Sequence, residues 1–286
     1  MSVRPAPGYI GNVRQEKGAN MMIRSTILAL TLAGAPVLAS ADTLNDAAET
    51  SMTQNRHADW TRLLGTYVEV SADGVNRVDY GALKANASDS AALDTYIASF
   101  ETLDIDALTA DEQFAAWANL YNAVTVRHII ERYPIKSIRN GYLIGPWKEV
   151  KVIADGREVS LDAIEHDILR EEWEEPRVHY AVNCASYGCP NLLPKAWTAG
   201  TLDEDLDAAA RDYVNHPRGV SIRNNGTLQV SEIYKWFRED FGGSKEGVIE
   251  HLLKHADDDL AAQIRAKPRI TKHDYDWSLN DTESQQ

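Results

Sequence analysis

Apolar residues recur at three- and four-residue intervals through most of this chain, and the stretches that break the rhythm are short. Trp60, Leu63, Leu64, Tyr67 and Val68 make a first helical stripe, and Leu93, Tyr96, Ile97 and Phe100 make another within Ser88 to Phe100. Between them, Gly74 to Tyr80 reads as a turn and a short extended piece. The strongest helix follows Thr109. Thr109 and Glu112 have the spacing of a capping box, and Phe114 to Tyr133 runs on until Pro134 ends it. Phe114, Trp117, Ala118, Leu120, Tyr121, Val124, Val126, Ile129 and Ile130 leave its first half almost no polar face, which predicts burial all round. Asn119 and Asn122 interrupt that face, three residues apart and on one side. A buried amide needs partners, because an unpaired one costs about 1–3 kcal/mol. These two either tie the helix to a loop or line a site.

The second half mixes helices with hairpins. Val150 to Leu161 predicts a hairpin turning at Asp155-Gly156, and Val220 to Val230 a second one turning at Asn225-Gly226. Ser160 is placed to cap a helix from Leu161 to Arg170, whose inward face is Leu161, Ile164 and Ile168. Glu165 falls between those positions and points toward the core, with His166 one step round. Thr201 and Glu204 repeat the capping-box spacing ahead of a helix to about Asn215. Ser231 caps a short helix with Ile233, Trp236, Phe237 and Phe241, stopped by Gly242-Gly243. Helices near Val248 to His255 and Leu260 to Ala266 follow, and a last extended piece reaches Tyr275-Asp276-Trp277. Helices and short strands alternate without a βαβ rhythm, so the expected class is α+β: one helix-rich domain over residues 59–280, with a loose arm at 42–58 and a tail at 281–286.

One stretch concentrates the polar chemistry. Arg177 to Leu192 reads RVHYAVNCASYGCPNL and holds the only two cysteines, Cys184 and Cys189. Val178, Tyr180 and Val182 alternate with His179, Ala181 and Asn183, the period of a half-buried strand that would stop at Cys184 before the small, polar turn Ala185-Ser186-Tyr187-Gly188. A thiol nucleophile needs a base or a positive field to lower its pKa from about 8.5. His179 or His166 would be that base, with Glu165, Asn119, Asn122 or Asp276 to orient it, and backbone amides of Ala185 to Gly188 would form an oxyanion site. The competing reading is a Cys184–Cys189 disulfide, which an oxidising compartment favours and which would stabilise by about 2 kcal/mol. No HxxxH or CxxC spacing supports a metal site built from His166, His179 and a thiolate, so we expect no metal and no cofactor.

Composition and leader set the surroundings of that chemistry. Met21-Met22-Ile23-Arg24, the apolar run Ser25 to Leu38 and the small residues Ala39-Ser40-Ala41 fit a secretory signal peptide over residues 1–41, with translation starting at Met21 or Met22. The run is shorter than the ~20 residues of a membrane span, and no second one follows, so the mature chain is expected to be soluble and periplasmic or secreted. The net charge is −14, and loss of Arg4, Arg14, Lys17, Arg24 and Glu16 with the leader makes the chain more acidic still. Nucleic acid and anionic membrane both require basic patches and are poor candidates for partners.

Four phrases in order, WANLYNAV (117–124), VSLDAIEHDILR (159–170), PRVHYAVNCASYGCPNL (176–192) and YDWSLN (275–280), resemble the bacterial and plant family known as domain of unknown function 547. The resemblance spans roughly Trp60 to Asn280 and implies a fold similar to papain-like or transglutaminase-like thiol enzymes. Its matching positions are Asn119, Asn122, Glu165, His166, His179, Cys184, Cys189 and Asp276. Two functions are therefore expected. One is a thiol-dependent hydrolase of small peptides or amides, with Cys184, His179, His166 and Glu165 catalytic and Asn119, Asn122, Asn183 and Asp276 holding substrate. The other is a non-catalytic ligand- or partner-binding domain stapled by its two cysteines.

Overall fold

The Ala110–Arg132 helix is the axis of the fold. Its N-terminus carries the full capping box: the Thr109 hydroxyl accepts the Glu112 N–H, and Glu112 Oε2 accepts the Thr109 N–H at 3.0 Å. Seventeen of its residues, from Glu112 to Ile130, are buried, so the core surrounds it on every side. In this computed structural model, which describes residues 56–285, the Tyr80–Ala85 and Ala87–Ala98 helices pack on it, and the Leu161–Ala163 turn and its continuation pack from elsewhere along the chain. The expected leader and most of the expected arm lie outside the described residues.

The strands are short, as expected of an α+β fold. Val68–Val70 pairs antiparallel with Asn76–Val78. Lys151–Ala154 pairs with Arg157–Ser160 across Asp155-Gly156, where φ is +52° and +67°. The third sheet joins Val220–Ile222 antiparallel to Leu228–Ser231, and Ile270–Asp274 runs parallel on the other side of Leu228–Ser231. No helix among the described residues is long and apolar enough to cross a membrane. Asp281, where the tail was expected to begin, is buried and accepts a hydrogen bond from the Tyr133 hydroxyl at 2.8 Å.

Several local expectations need correction. The Arg177 to Asn183 segment is not a strand: Val178–Ala181 is one helical turn packed on the Leu202–Asn215 helix, and only the residues from Val182 are extended. Every residue from Val178 to Asn183 is buried, so the alternation of polar and apolar types did not mark a wet and a dry face. Thr201 does not close a second capping box; its hydroxyl donates to Asp205 Oδ2 at 2.7 Å instead of accepting a backbone N–H. Ser231 precedes the cap residue Glu232, although its hydroxyl does accept the Ile233 N–H at 3.2 Å.

The helix opening at Ser160 also departs from regular winding. Ser160 caps it through the Ala163 N–H at 3.1 Å, as expected. From Ile164 to Leu169 it then winds as a π-helix, with the Arg170 N–H bonded to the Glu165 carbonyl, before the Arg170–Trp173 turn. A π-turn redirects side chains relative to an α-helix and recurs at functional sites. Here it buries Glu165 and puts the adjacent His166 on the same cleft.

Trp117 tests the orientation of the axial helix. Its indole is 2% exposed, and the Arg157 guanidinium lies 5.6 Å from the ring centroid. Trp117→Ala should lower the unfolding free energy by about 3–5 kcal/mol, the range for an aromatic removed from a core. Urea denaturation of both proteins checks this; a loss below about 1 kcal/mol would show a ring that is not part of the core.

Candidate active site

The Cys184 sulfur sits on a cleft of about 560 Å³, a volume suited to a small ligand. The π-helix contributes Glu165 and His166, the Val178–Ala181 turn contributes His179, and Tyr121 reaches in from the axial helix. Trp236, Tyr275 and Trp277 form one wall, with ring centroids 4.6–5.6 Å apart, and Trp147 leans on Trp277 at 5.7 Å. The Arg139 guanidinium covers the Trp277 ring at 4.9 Å.

Cys184 Sγ is ringed by hydrogen-bonding groups, none of them histidine. Cys189 Sγ lies at 3.0 Å, the Tyr275 hydroxyl at 3.0 Å and the Ser186 hydroxyl at 3.1 Å. Hydrogen bonding with Cys189, helped by Ser186 and Tyr275, lowers the Cys184 pKa despite its burial. Burial pushes the Cys189 thiol well up, so of the two sulfurs Cys184 is the one that ionises. The two sulfurs are not bonded to each other in this structure.

His179 is held differently from expectation. Its Nε2 is 2.6 Å from Asp240 Oδ2, and its ring stacks on Phe237 at 4.0 Å. Arg170 grips the same carboxylate with two bonds, Nε to Oδ2 at 2.6 Å and Nη2 to Oδ1 at 2.8 Å. Burial alone would raise the Asp240 pKa, but the Arg170 and His179 hydrogen bonds outweigh it and hold the carboxyl far below its usual range. An ionised Asp240 assigns the proton of His179 to Nε2, which leaves Nδ1 as a bare acceptor. That Nδ1 is buried and has no hydrogen-bond partner among the described residues. His166 is less free: its Nδ1 accepts from Arg170 Nη1 at 2.6 Å, and its Nε2 is 4.0 Å from Asp162 Oδ1. Glu165 accepts the Tyr121 hydroxyl at 3.0 Å.

The three asparagines do not line the cleft; they fasten the loop that carries the thiols. Asn119 takes both backbone groups of Trp197, its Nδ2 donating to the carbonyl at 2.9 Å and its Oδ1 accepting the N–H at 3.0 Å. Asn122 donates to the Ala181 carbonyl and accepts the Asn183 N–H at 2.7 Å. Asn183 accepts the Ala185 N–H and donates to the Pro190 carbonyl at 2.7 Å. Asp276 faces a neighbouring cleft with Tyr187 and Arg218, and its Oδ1 accepts the Ser278 N–H. Three of the four expected oxyanion amides are engaged: Ala185 N–H by Asn183, Tyr187 N–H by the Ser278 carbonyl and Gly188 N–H by the Asp276 carbonyl. The Tyr275 and Ser186 hydroxyls stand beside the sulfur, and each is able to donate.

Asp240, Tyr275 and Ser186 were not singled out from the sequence. Asp240 carried a usable signal, an acidic residue three positions after Phe237 and next to the apolar Phe241. Among the described residues, no group of three or more His, Cys, Asp or Glu side chains is placed to hold a metal ion.

Residues 105–214 match the family model described as "Protein of unknown function, DUF547". That segment is similar to the DUF547 family. It includes the axial helix, the π-helix and the whole cysteine loop, while Asp240, Tyr275 and Trp277 lie beyond it. No curated protein and no solved structure matches the chain.

Proposed function

We propose that the chain is an exported thiol-dependent hydrolase of small peptide or amide substrates, with Cys184 as nucleophile and His179 as the proton-transfer group. The observation that carries this reading is a single cleft. It holds a sulfur hydrogen-bonded to three side chains and an imidazole anchored to a carboxylate, whose other nitrogen has no partner among the described residues. A thiol and a histidine oriented by a third group are the parts that papain-like enzymes use. The leader-like residues before Asp42 support export.

In the proposed reaction, Cys184 gives up its proton, His179 Nδ1 accepts it, and Asp240 stabilises the imidazolium. The thiolate attacks the substrate carbonyl, and the Tyr275 hydroxyl donates to the developing oxyanion. His179 returns the proton to the leaving amine and then takes one from the water that hydrolyses the thioester. The aromatic wall of Trp236, Tyr275 and Trp277 favours substrates with an apolar or aromatic flank.

With reduced protein, iodoacetamide should modify Cys184 faster than a free cysteine at neutral pH, and a panel of amide substrates should yield one that Cys184→Ser does not hydrolyse. Peptide mapping locates the adduct. Alkylation no faster than free cysteine, with no hydrolysis across the panel, would sink the reading in favour of a binding domain. The two cysteines, 3.0 Å apart, would then close on oxidation into the disulfide staple of that domain.

A further inference from the structure

The cysteine loop sets the two sulfurs close together by bonds that do not involve the thiols. Cys189 Sγ is 3.0 Å from Cys184 Sγ, and a disulfide is about 2.05 Å long, so about 1 Å of approach separates the pair from a covalent bond. Asn183 ties the ends of the loop through Ala185 and Pro190, and Tyr213 donates to the Gly188 carbonyl at 2.7 Å. Gly188 lies so close to the Asp276 backbone that a Cβ would come within 2.8 Å of its nitrogen, which excludes any larger residue. Ala185 is held at a φ of +55°, a conformation a non-glycine residue keeps only when its surroundings impose it.

Access to the two sulfurs is unequal. Cys184 is half-buried on the cleft, whereas Cys189 is 4% exposed and receives the Cys184 N–H at 3.1 Å. One reachable sulfur backed by one sheltered sulfur is the arrangement that thiol–disulfide exchange requires: the first is attacked or attacks, and the second resolves the product.

We propose that the Cys184–Cys189 pair carries a second activity, thiol–disulfide exchange with an organic disulfide whose apolar or aromatic flank rests on Trp236, Tyr275 and Trp277. It rests on the spacing and unequal access of the sulfurs and goes beyond the hydrolase reading. The Cys184 thiolate attacks one sulfur of R–S–S–R′. A Cys184–S–R bond forms, the substrate S–S bond breaks, and R′S⁻ leaves with the electron pair and takes a proton from water. Cys189 then gives its proton to solvent and attacks Cys184 Sγ, and RS⁻ leaves and is protonated. The protein dithiol is oxidised by two electrons to the Cys184–Cys189 disulfide, and the substrate disulfide is reduced to two thiols. An added dithiol reductant reverses the same steps.

The test uses the full chain, reduced and freed of reductant, with oxidised glutathione as the probe and no amide substrate, so failure of hydrolysis is scored separately. Intact mass should show wild type becoming two hydrogens lighter with both thiols lost together and no lasting adduct. Cys189→Ala should stop at one glutathione adduct on Cys184, and Cys184→Ala should form none. Dithiobis(nitrobenzoate), an aromatic disulfide, should outpace glutathione by up to about tenfold relative to free cysteine, the size of one aromatic stacking contact. Wild type that keeps both thiols, or that accumulates a stable glutathione adduct, overturns the exchange activity even if an alanine variant fails to fold. Equal relative rates for the two disulfides overturn the assigned substrate class.

Discussion

Asp240→Asn should lower kcat/KM for the amide substrate by about 10³–10⁴-fold, comparable with loss of the orienting carboxylate from a serine-protease triad. The geometry explains the size. Asp240 Oδ2 accepts from both His179 Nε2 and Arg170 Nε, and Oδ1 accepts from Arg170 Nη2. An asparagine must put an NH₂ in place of one oxygen. At Oδ2 it faces two N–H donors and favours the wrong imidazole tautomer; at Oδ1 it faces Arg170. In either orientation the negative charge that stabilises the imidazolium is gone. A further readout separates this from mere loosening. The alkylation rate of Cys184 should hold, because its sulfur is contacted by Ser186, Cys189 and Tyr275. A rate loss under about tenfold would remove His179 and Asp240 from the mechanism.

Acid should unfold the protein through its buried histidines before its carboxylates titrate. Burial lowers His57 to about 4, His128 to about 4 and His251 to about 3, from an ordinary 6.5. His57 and His251 meet tyrosine hydroxyls at 2.7 and 2.8 Å, from Tyr96 and Tyr180. The unfolded chain binds protons at these histidines near pH 6.5, and the folded chain binds them only near pH 3–4. Stability therefore rises with pH across that window; it is fully present above pH 6.5 and is lost as pH falls through the folded values. One pKa unit is about 1.4 kcal/mol, so acidification removes on the order of 3–5 kcal/mol per histidine, most for His251. Asp240, also depressed, adds a loss only below the ordinary carboxylate range. Denaturant midpoints at pH 7.5, 5.5 and 4.5 should fall in that order, and His251→Gln should flatten the slope. Equal midpoints at pH 7.5 and 5.5 would show that these histidines titrate normally.

Features set by neighbours in the chain were legible without coordinates. The Thr109–Glu112 capping box, the Asp155-Gly156 turn and the Ser160 cap each need residues no more than three apart, and each formed as its local chemistry dictates. The apolar girdle of the axial helix was equally plain, because a helix without a polar face has only the core to occupy. Polar residues on apolar elements pointed to Glu165, His166, His179 and Cys184, which do open onto one cleft.

What those polar residues do depended on partners distant in sequence. Asn119 and Asn122 carried the same signal as Glu165, yet their amides are saturated by the backbone of Trp197, Ala181 and Asn183, so they clamp a loop instead of facing the cleft. Asp240 joins His179 across 61 positions, and Tyr275 joins Cys184 across 91. The Val178 to Asn183 alternation failed for a related reason: with both sides covered, periodicity no longer distinguishes a strand from a helical turn. The sequence by itself determined the local elements, the buried axis and the supply of thiols, histidines and acids, because these follow from nearest-neighbour chemistry and the exclusion of apolar surface from water. Only the tertiary structure decided which histidine keeps a bare nitrogen, which cysteine is reachable and which amides are already satisfied, because each of these is fixed by a hydrogen bond between segments that meet only after folding.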